Sequence, residues 1–474
     1  MRIKLLFGCL LLLCGLQVLT QPKAKYPVPT KQQLAWHSME FYWFIHFGPN
    51  TFTDKEWGQG DEPADAFDPS QLDCRQWARI AKQSGAKGII ITAKHHDGFC
   101  LWPSKYSKHT VRESKWKEGK GDVLKELKEA CKEYGLKFGV YLSPWDRNHP
   151  QYGTPAYNDV YVNVLKELIS SYGPFYEFWW DGANGEGPSG KKQEYDFRRF
   201  EQTMRKNAPG TLVFSDIGPD IRWVGNENGI AGETNWNNLD TAGFTRGAGA
   251  PPTDTLNKGN INGKNWIPAE CDVSIRPGWF YHPEEDEKVK TPEQLFELYL
   301  KSVGRGANFL LNVPPDRRGL ISEKDSASLI HFNRLREESF GNNLAKDSKA
   351  ELHMSGGIFR RTNFTDGSEE TFEKISDIEN ERLWVKFDPV KKINCIVLQE
   401  AIKFGQRVKS ATVVLLNGST TVKEFNITTI GRKRILTFPA QEISAIRIII
   451  NDAKDPPLIS EIAAYLIPEN LIDR

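Results

Sequence analysis

The sequence predicts an α/β protein in which a (β/α)8-like barrel is followed by an antiparallel β-sandwich. Three observations predict it. Between about residues 41 and 313, short apolar runs alternate with amphipathic stretches, the pattern of repeated βα units that feed a parallel sheet. Side chains capable of chemistry gather just past those runs, as they do where parallel strands end on one rim. After about residue 342 the helical periodicity stops, and β-branched and aromatic runs alternate with polar or Pro-containing turns. A length of 474 residues fits two cores better than one. The expected division is 1–20, a signal peptide; 21–342, the barrel; and 343–474, the sandwich.

The elements follow in order. Arg2 and Lys4 precede an apolar stretch over 5–19 and polar Gln21-Pro22-Lys23, the layout of a secretory signal. The chain is therefore expected to be exported, to a periplasm or the cell exterior, with no membrane span once the signal is removed. A retained anchor is the alternative, since the run lies at the lower edge of spanning length. Barrel strands are expected at 43–47, 88–93, 137–142, 176–180, 212–215 and 308–313. Between them, Asp68-Pro69 opens a helix that carries Trp77, Ile80 and Ala81 inward and stops at Gly85. Asp122 caps another, closed by Gly135. Thr291-Pro292-Glu293-Gln294 opens a third, which runs to Gly304. Sandwich strands are expected at 383–387, 395–398, 411–415, 435–438, 445–450 and 459–465. A doubly wound open sheet would also put chemistry at strand C-termini, and stays open as an alternative to the barrel.

Composition narrows the partners. Lys+Arg 62 against Asp+Glu 61 provides no field to attract nucleic acid or an anionic membrane surface. A small neutral substrate fits better, and 14 Trp include flat faces suited to the C–H face of a sugar, although most must fill the core. Outside the signal, Cys74, Cys100, Cys131, Cys271 and Cys395 are widely spread and without zinc spacing, so they read as buried thiols.

Four segments carry the chemistry. In Phe178-Trp179-Trp180-Asp181-Gly182 a carboxylate follows an apolar strand directly, so a rigid element aims its oxygens at open space, as a nucleophile requires. The same Asp could merely turn the chain before Gly. His95-His96-Asp97 offers imidazoles that donate and accept, suited to sugar hydroxyls; adjacent side chains on extended backbone diverge, which argues against joint metal binding. Glu56-Trp57 lies in the loop after the first strand and Tyr141 ends the third; Trp57 can stack on a ring and Glu56 can accept from hydroxyls. Finally, Ile221-Arg222-Trp223-Val224-Gly225-Asn226-Glu227 places a carboxylate in a Gly- and Asn-containing segment that reads as irregular, a loop able to carry an acid over a pocket.

These runs, with Trp43-Phe44-Ile45-His46-Phe47-Gly48 and Asn308-Phe309-Leu310-Leu311-Asn312-Val313, resemble the α-L-fucosidases of glycoside hydrolase family 29 across the whole expected barrel. The resemblance implies a (β/α) barrel, retention of anomeric configuration, no metal, and release of terminal α-L-fucose from a fucosylated oligosaccharide or glycoconjugate. It implies Asp181 as nucleophile, and His46, Glu56, Trp57, His95, His96, Tyr141 and Trp179 as lining of the sugar pocket. The run ending in Glu227 is similar to the branch that acts on α-1,3 and α-1,4 linkages, which implies Glu227 as acid/base, with Glu233 and Glu270 as nearby rivals. Within Arg276-Pro277-Gly278-Trp279, Trp279 is the expected wall residue. Beyond 343 the chain resembles galactose-binding-like modules. Two other readings remain: a barrel glycosidase for a different sugar, and a non-catalytic carbohydrate-binding protein.

Overall fold

The computed structural model describes residues 26–246, 249–346 and 348–472; the expected signal peptide lies outside the described residues. Eight parallel strands close into a barrel in chain order: β1 Phe41–Ile45, β2 Gly88–Lys94, β3 Lys137–Leu142, β4 Glu177–Trp179, β5 Leu212–Ser215, β6 Ile221–Trp223, β7 Ala269–Ser274 and β8 Asn308–Asn312. Closure is made by β8 against β1, with Phe41 opposite Phe309 and Phe44 opposite Asn312. The open-sheet alternative is thereby excluded. The strands are almost wholly buried on both faces, which is why most of them read as apolar runs. Alternate residues divide: Tyr42 and Phe44 of β1 point into the barrel, whereas Phe41, Trp43 and Ile45 pack against the surrounding helices.

Two strands escaped the sequence reading, β6 and β7. The segment around Arg222 was expected to be irregular, yet Ile221–Trp223 is a barrel strand between β5 and β7. It is only three residues long, and its centre is a fully buried Arg. That guanidinium is satisfied by the Leu256, Ile267 and Trp236 carbonyls and by Asn235, so a charge in a wall strand is tolerable. In β7, acidic Glu270 and Asp272 face inward and break the apolar run.

Among the helices, Cys74–Gln83 is capped by Asp73 rather than opened at Asp68-Pro69, because Asp73 Oδ1 accepts from Arg75 N while Pro69 precedes a turn. Gly85 follows it with φ +77°, a left-handed conformation that suits Gly. Asp122 and Gly135 bracket Val123–Tyr134 as expected. Thr291 and Gln294 form a capping box at the start of Pro292–Ser302. The five cysteines named above are buried free thiols.

The C-terminal strands are antiparallel. Expected neighbours fuse: 383–387 and 395–398 are two halves of Arg382–Glu400, and 435–438 and 445–450 are two halves of Arg434–Ala453. Register shifts between Lys386 and Lys391 and between Ile393 and Cys395 bend this pair, so both halves contribute to one apolar core, Leu383 and Val385 from one and Ile396 and Leu398 from the other. Polar contacts tie this unit to the barrel: Gln406 Oε1 accepts from Asn237 N at 2.9 Å, and its Nε2 donates to Asn235 O at 2.9 Å.

Candidate active site

The C-terminal ends of the barrel strands converge on a cavity of about 140 Å³. Its wall contains the expected nucleophile, the first-choice acid/base and all the expected lining residues: His46, Glu56, Trp57, His95, His96, Tyr141, Trp179, Asp181, Glu227 and Trp279. Phe44, Ala183 and Asp272 complete it. A second cavity of about 300 Å³ adjoins the first, sharing Trp179, Asp181, Ala183, Glu227 and Asp272.

Asp181 stands immediately past β4. Tyr141 donates to its Oδ2 at 2.9 Å, and its Oδ1 accepts from Ala183 N at 2.7 Å. A quarter of its side chain remains exposed (25%), so the carboxylate is held yet open. His96 Nε2 lies 3.8 Å from the same Oδ2. The tautomer of His96 follows from its other side. Ser143 donates to the Trp145 carbonyl at 2.8 Å, so at 2.7 Å His96 Nδ1 must donate to Ser143 Oγ. Burial, and beside it Lys94, lowers the His96 pKa to about 4, against the pull of Asp181. The ring is therefore neutral near pH 7, and Nε2 presents a lone pair. His46 is likewise lowered to about 3 by burial, and its Nδ1 donates to Asn312 Oδ1 at 2.9 Å. Burial and the neighbouring imidazoles also push His95 well down.

The floor is aromatic. Trp179 stacks on Phe214 with centroids 4.0 Å apart, and Tyr141 stacks on Trp179 at 5.3 Å. Beneath them Glu270 Oε1 accepts from the Trp179 indole at 2.9 Å, and Tyr42 donates to Oε2. Glu177 lies against Glu270 in the barrel interior; burial raises both carboxyls, so that a proton stays with the pair. Trp57 is the exposed lip (54%), its edge against His96 and Trp145.

Glu56 has a different role from a free hydroxyl acceptor. Its carboxylate accepts from Trp279 N at 2.9 Å, Phe280 N at 3.2 Å and His282 Nε2 at 2.6 Å, so it fastens the loop past β7. Asp54, His282 and Glu284 have metal-ligand spacing, but His282 engages Asp54 through Nδ1 and Glu56 through Nε2. The fastened loop presents Trp279, whose indole donates to Glu227 Oε2 at 3.2 Å. Burial first, then the negative charges of Asp181 and Glu56, raise the Glu227 pKa against that hydrogen bond. The rivals are elsewhere. Glu233 is 73% exposed beside Arg305, and Glu270 is sealed below the floor. Asp272 is the wall carboxyl that the sequence reading missed; its signal was the alternation Glu270, Asp272, Ser274, three polar side chains at period two.

Comparison with known proteins gives the same picture. An α-L-fucosidase family profile matches residues 24–334. The chain is 41% identical to Alpha-L-fucosidase 1 of Arabidopsis thaliana over 451 residues, covering 93% of this chain and 88% of that one. Among solved structures, a glycoside hydrolase 29 family member from an unknown rumen bacterium superposes with TM-score 0.83 at 40% identity, covering 94% of this chain and 78% of that one. A Ruminococcus gnavus family 29 fucosidase in complex with fucose gives TM-score 0.84 at 31% identity, covering 96% and 97%. Barrel, pocket wall and relatives agree, and the chain belongs to the α-L-fucosidases of glycoside hydrolase family 29, enzymes that hydrolyse glycosides.

Proposed function

We propose that the protein is a retaining, exo-acting α-L-fucosidase that removes terminal α-1,3- or α-1,4-linked L-fucose from oligosaccharides or glycoconjugates. The observation that carries this reading is the pairing of Asp181 and Glu227 on one small cavity with neutral imidazoles and stacked aromatic rings. In the first step Asp181 attacks the anomeric carbon while the Glu227 carboxylic acid gives its proton to the departing oxygen. In the second, Glu227 takes a proton from water, which attacks the same carbon and frees Asp181, so two inversions give retention. The raised pKa of Glu227 supports its starting as the acid. The neutral imidazoles His46 and His96 can each accept from a sugar hydroxyl, and Trp57 can cover a ring face. The linkage preference rests on the run ending in Glu227 and on the roomier cavity beside the first, which suits a branched leaving group. The N-terminal signal supports export.

Asp181→Ala tests the nucleophile. Turnover of an aryl α-L-fucoside is expected to vanish, and azide to restore part of it as an azide adduct of inverted configuration. Undiminished turnover would refute the assignment. Product analysis on Lewis-type trisaccharides beside a 2'-fucosylated sugar tests the linkage, which fails if the 2'-linked sugar is cleaved as fast. N-terminal sequencing of the protein recovered outside the cytoplasm tests export.

A further inference from the structure

Strand β7 presents three polar side chains in succession to the barrel interior, and each holds a residue from a different strand. Glu270 accepts from Trp179 of β4. Asp272 Oδ1 accepts from the Trp223 indole of β6 at 2.9 Å. Ser274 Oγ accepts from Asn312 of β8 at 2.9 Å, and Asn312 in turn holds His46. Only the middle one borders open space: Asp272 lines both the smaller cavity and the larger one beside it, with Asp181 and Glu227. It is 4% exposed, and that exposure faces the place a sugar would occupy. The Trp223 indole engages Oδ1, and no other side chain among the described residues is hydrogen-bonded to the carboxyl.

We propose that Asp272 is a substrate-binding residue that pairs through Oδ2 with one hydroxyl of the bound sugar. The proposal rests on the fucosidase reading above. Four carboxyls, of Glu56, Asp181, Glu227 and Asp272, border the smaller cavity, and they cannot all hold a negative charge cheaply. Burial, reinforced by the charges of Glu227 and Glu270, keeps the proton on Asp272. With Oδ1 accepting from Trp223, the O–H of the acid lies on Oδ2 and donates to the oxygen of a sugar hydroxyl. Trp223 fixes the rotamer through Oδ1, which orders the contact before the sugar arrives.

Fucose binding separates this role from catalysis when measured by calorimetry in the Asp181→Ala background. Adding Asp272→Ala is expected to weaken fucose about 10- to 100-fold, the scale of an unmatched buried hydrogen bond. Asp272→Asn keeps an acceptor for Trp223 and supplies an N–H donor, so it is expected to recover most of that loss. Equal fucose affinity with Asp272 and Ala overturns the proposal. So does an Asn variant no better than Ala at the same thermal midpoint. If the Ala variant fails to fold, hydrolysis of monodeoxy aryl fucosides by wild type and Asp272→Leu, which fills similar space without a donor or acceptor, makes the same test. One missing hydroxyl should cost wild type more than the Leu variant, and equal costs at every position overturn the contact. An Asp181→Ala parent that binds no fucose would sink the substrate reading itself, an outcome distinct from a loss confined to Asp272.

Discussion

Glu227 shows how one side chain takes its chemistry from its surroundings. Burial and the nearby charges of Asp181 and Glu56 disfavour its ionised form, so it keeps its proton to higher pH than an exposed Glu. For a catalytic acid this sets the basic side of the activity profile. Activity on natural linkages is expected to fall as pH rises through the Glu227 pKa. The histidines contribute little to that limb, since His46 and His96, lowered to about 3 and about 4 by burial, stay neutral throughout. Glu227→Ala is expected to lower kcat/KM on natural linkages by roughly 10²- to 10⁴-fold, the scale of general acid–base catalysis. Aryl fucosides whose leaving groups need no proton should lose much less. Steady-state kinetics on both substrate classes check this, and equal losses would remove Glu227 from the acid role.

At the scale of elements, the turn after β2 is the most sensitive. Asp97 Oδ1 accepts from Phe99 N at 2.6 Å, and Gly98 between them adopts φ +86°, with Asp146 close to where a Cβ would stand. Asp97 Oδ2 is buried with no hydrogen-bond partner among the described residues, and burial first, with Glu62 and Asp146 adding repulsion, raises its pKa to about 7. In the unfolded chain the value returns to about 3.9. Between these values the folded state holds a proton that the unfolded state has released, so stability is full below about 3.9 and declines as pH rises toward 7. The decline attributable to Asp97 is about 4 kcal/mol at most. Asp97→Asn is expected to remove this share, so urea midpoints at acid and neutral pH should differ less in the variant than in wild type. An unchanged difference would show that Asp97 is ionised in the folded protein.

For the molecule as a whole, the C-terminal unit braces the part of the barrel behind Glu227. Gln406 accepts from Asn237 and donates to Asn235, whose own side chain accepts from Arg222 of β6 at 3.0 Å. A chain of hydrogen bonds thus runs from the C-terminal unit to the strand that leads into the acid. Gln406→Ala leaves buried backbone groups unpaired, at a cost of about 1–3 kcal/mol. The thermal midpoint should fall by roughly 1–3 °C. Activity on an aryl fucoside, assayed well below that midpoint, should fall with it if the brace positions Glu227. A drop in the midpoint with activity unchanged would confine Gln406 to stability.

Much of this was legible in one dimension. Apolar runs buried on both faces, caps such as Asp122 and Thr291, and polar residues just past strand ends are local signals, and the helix and strand periods expose them directly. Asp181 and the histidines stood out because a reactive side chain next to a strand end is a feature of adjacent residues. What failed was local evidence that pointed the wrong way. Buried Arg222 made one wall strand read as irregular chain, and inward Glu270 and Asp272 hid another, since their compensating partners lie elsewhere in the sequence. By itself the sequence determined the repeated βα order, the change to β structure near residue 342 and the set of reactive residues. Only the tertiary structure decided that Glu227, and neither exposed Glu233 nor sealed Glu270, shares a cavity with Asp181, that Glu56 fastens a loop, and that Asp272 joins the wall. The reason is that exposure, hydrogen-bond partners and pKa are set by neighbours in space, and barrel closure chooses those neighbours.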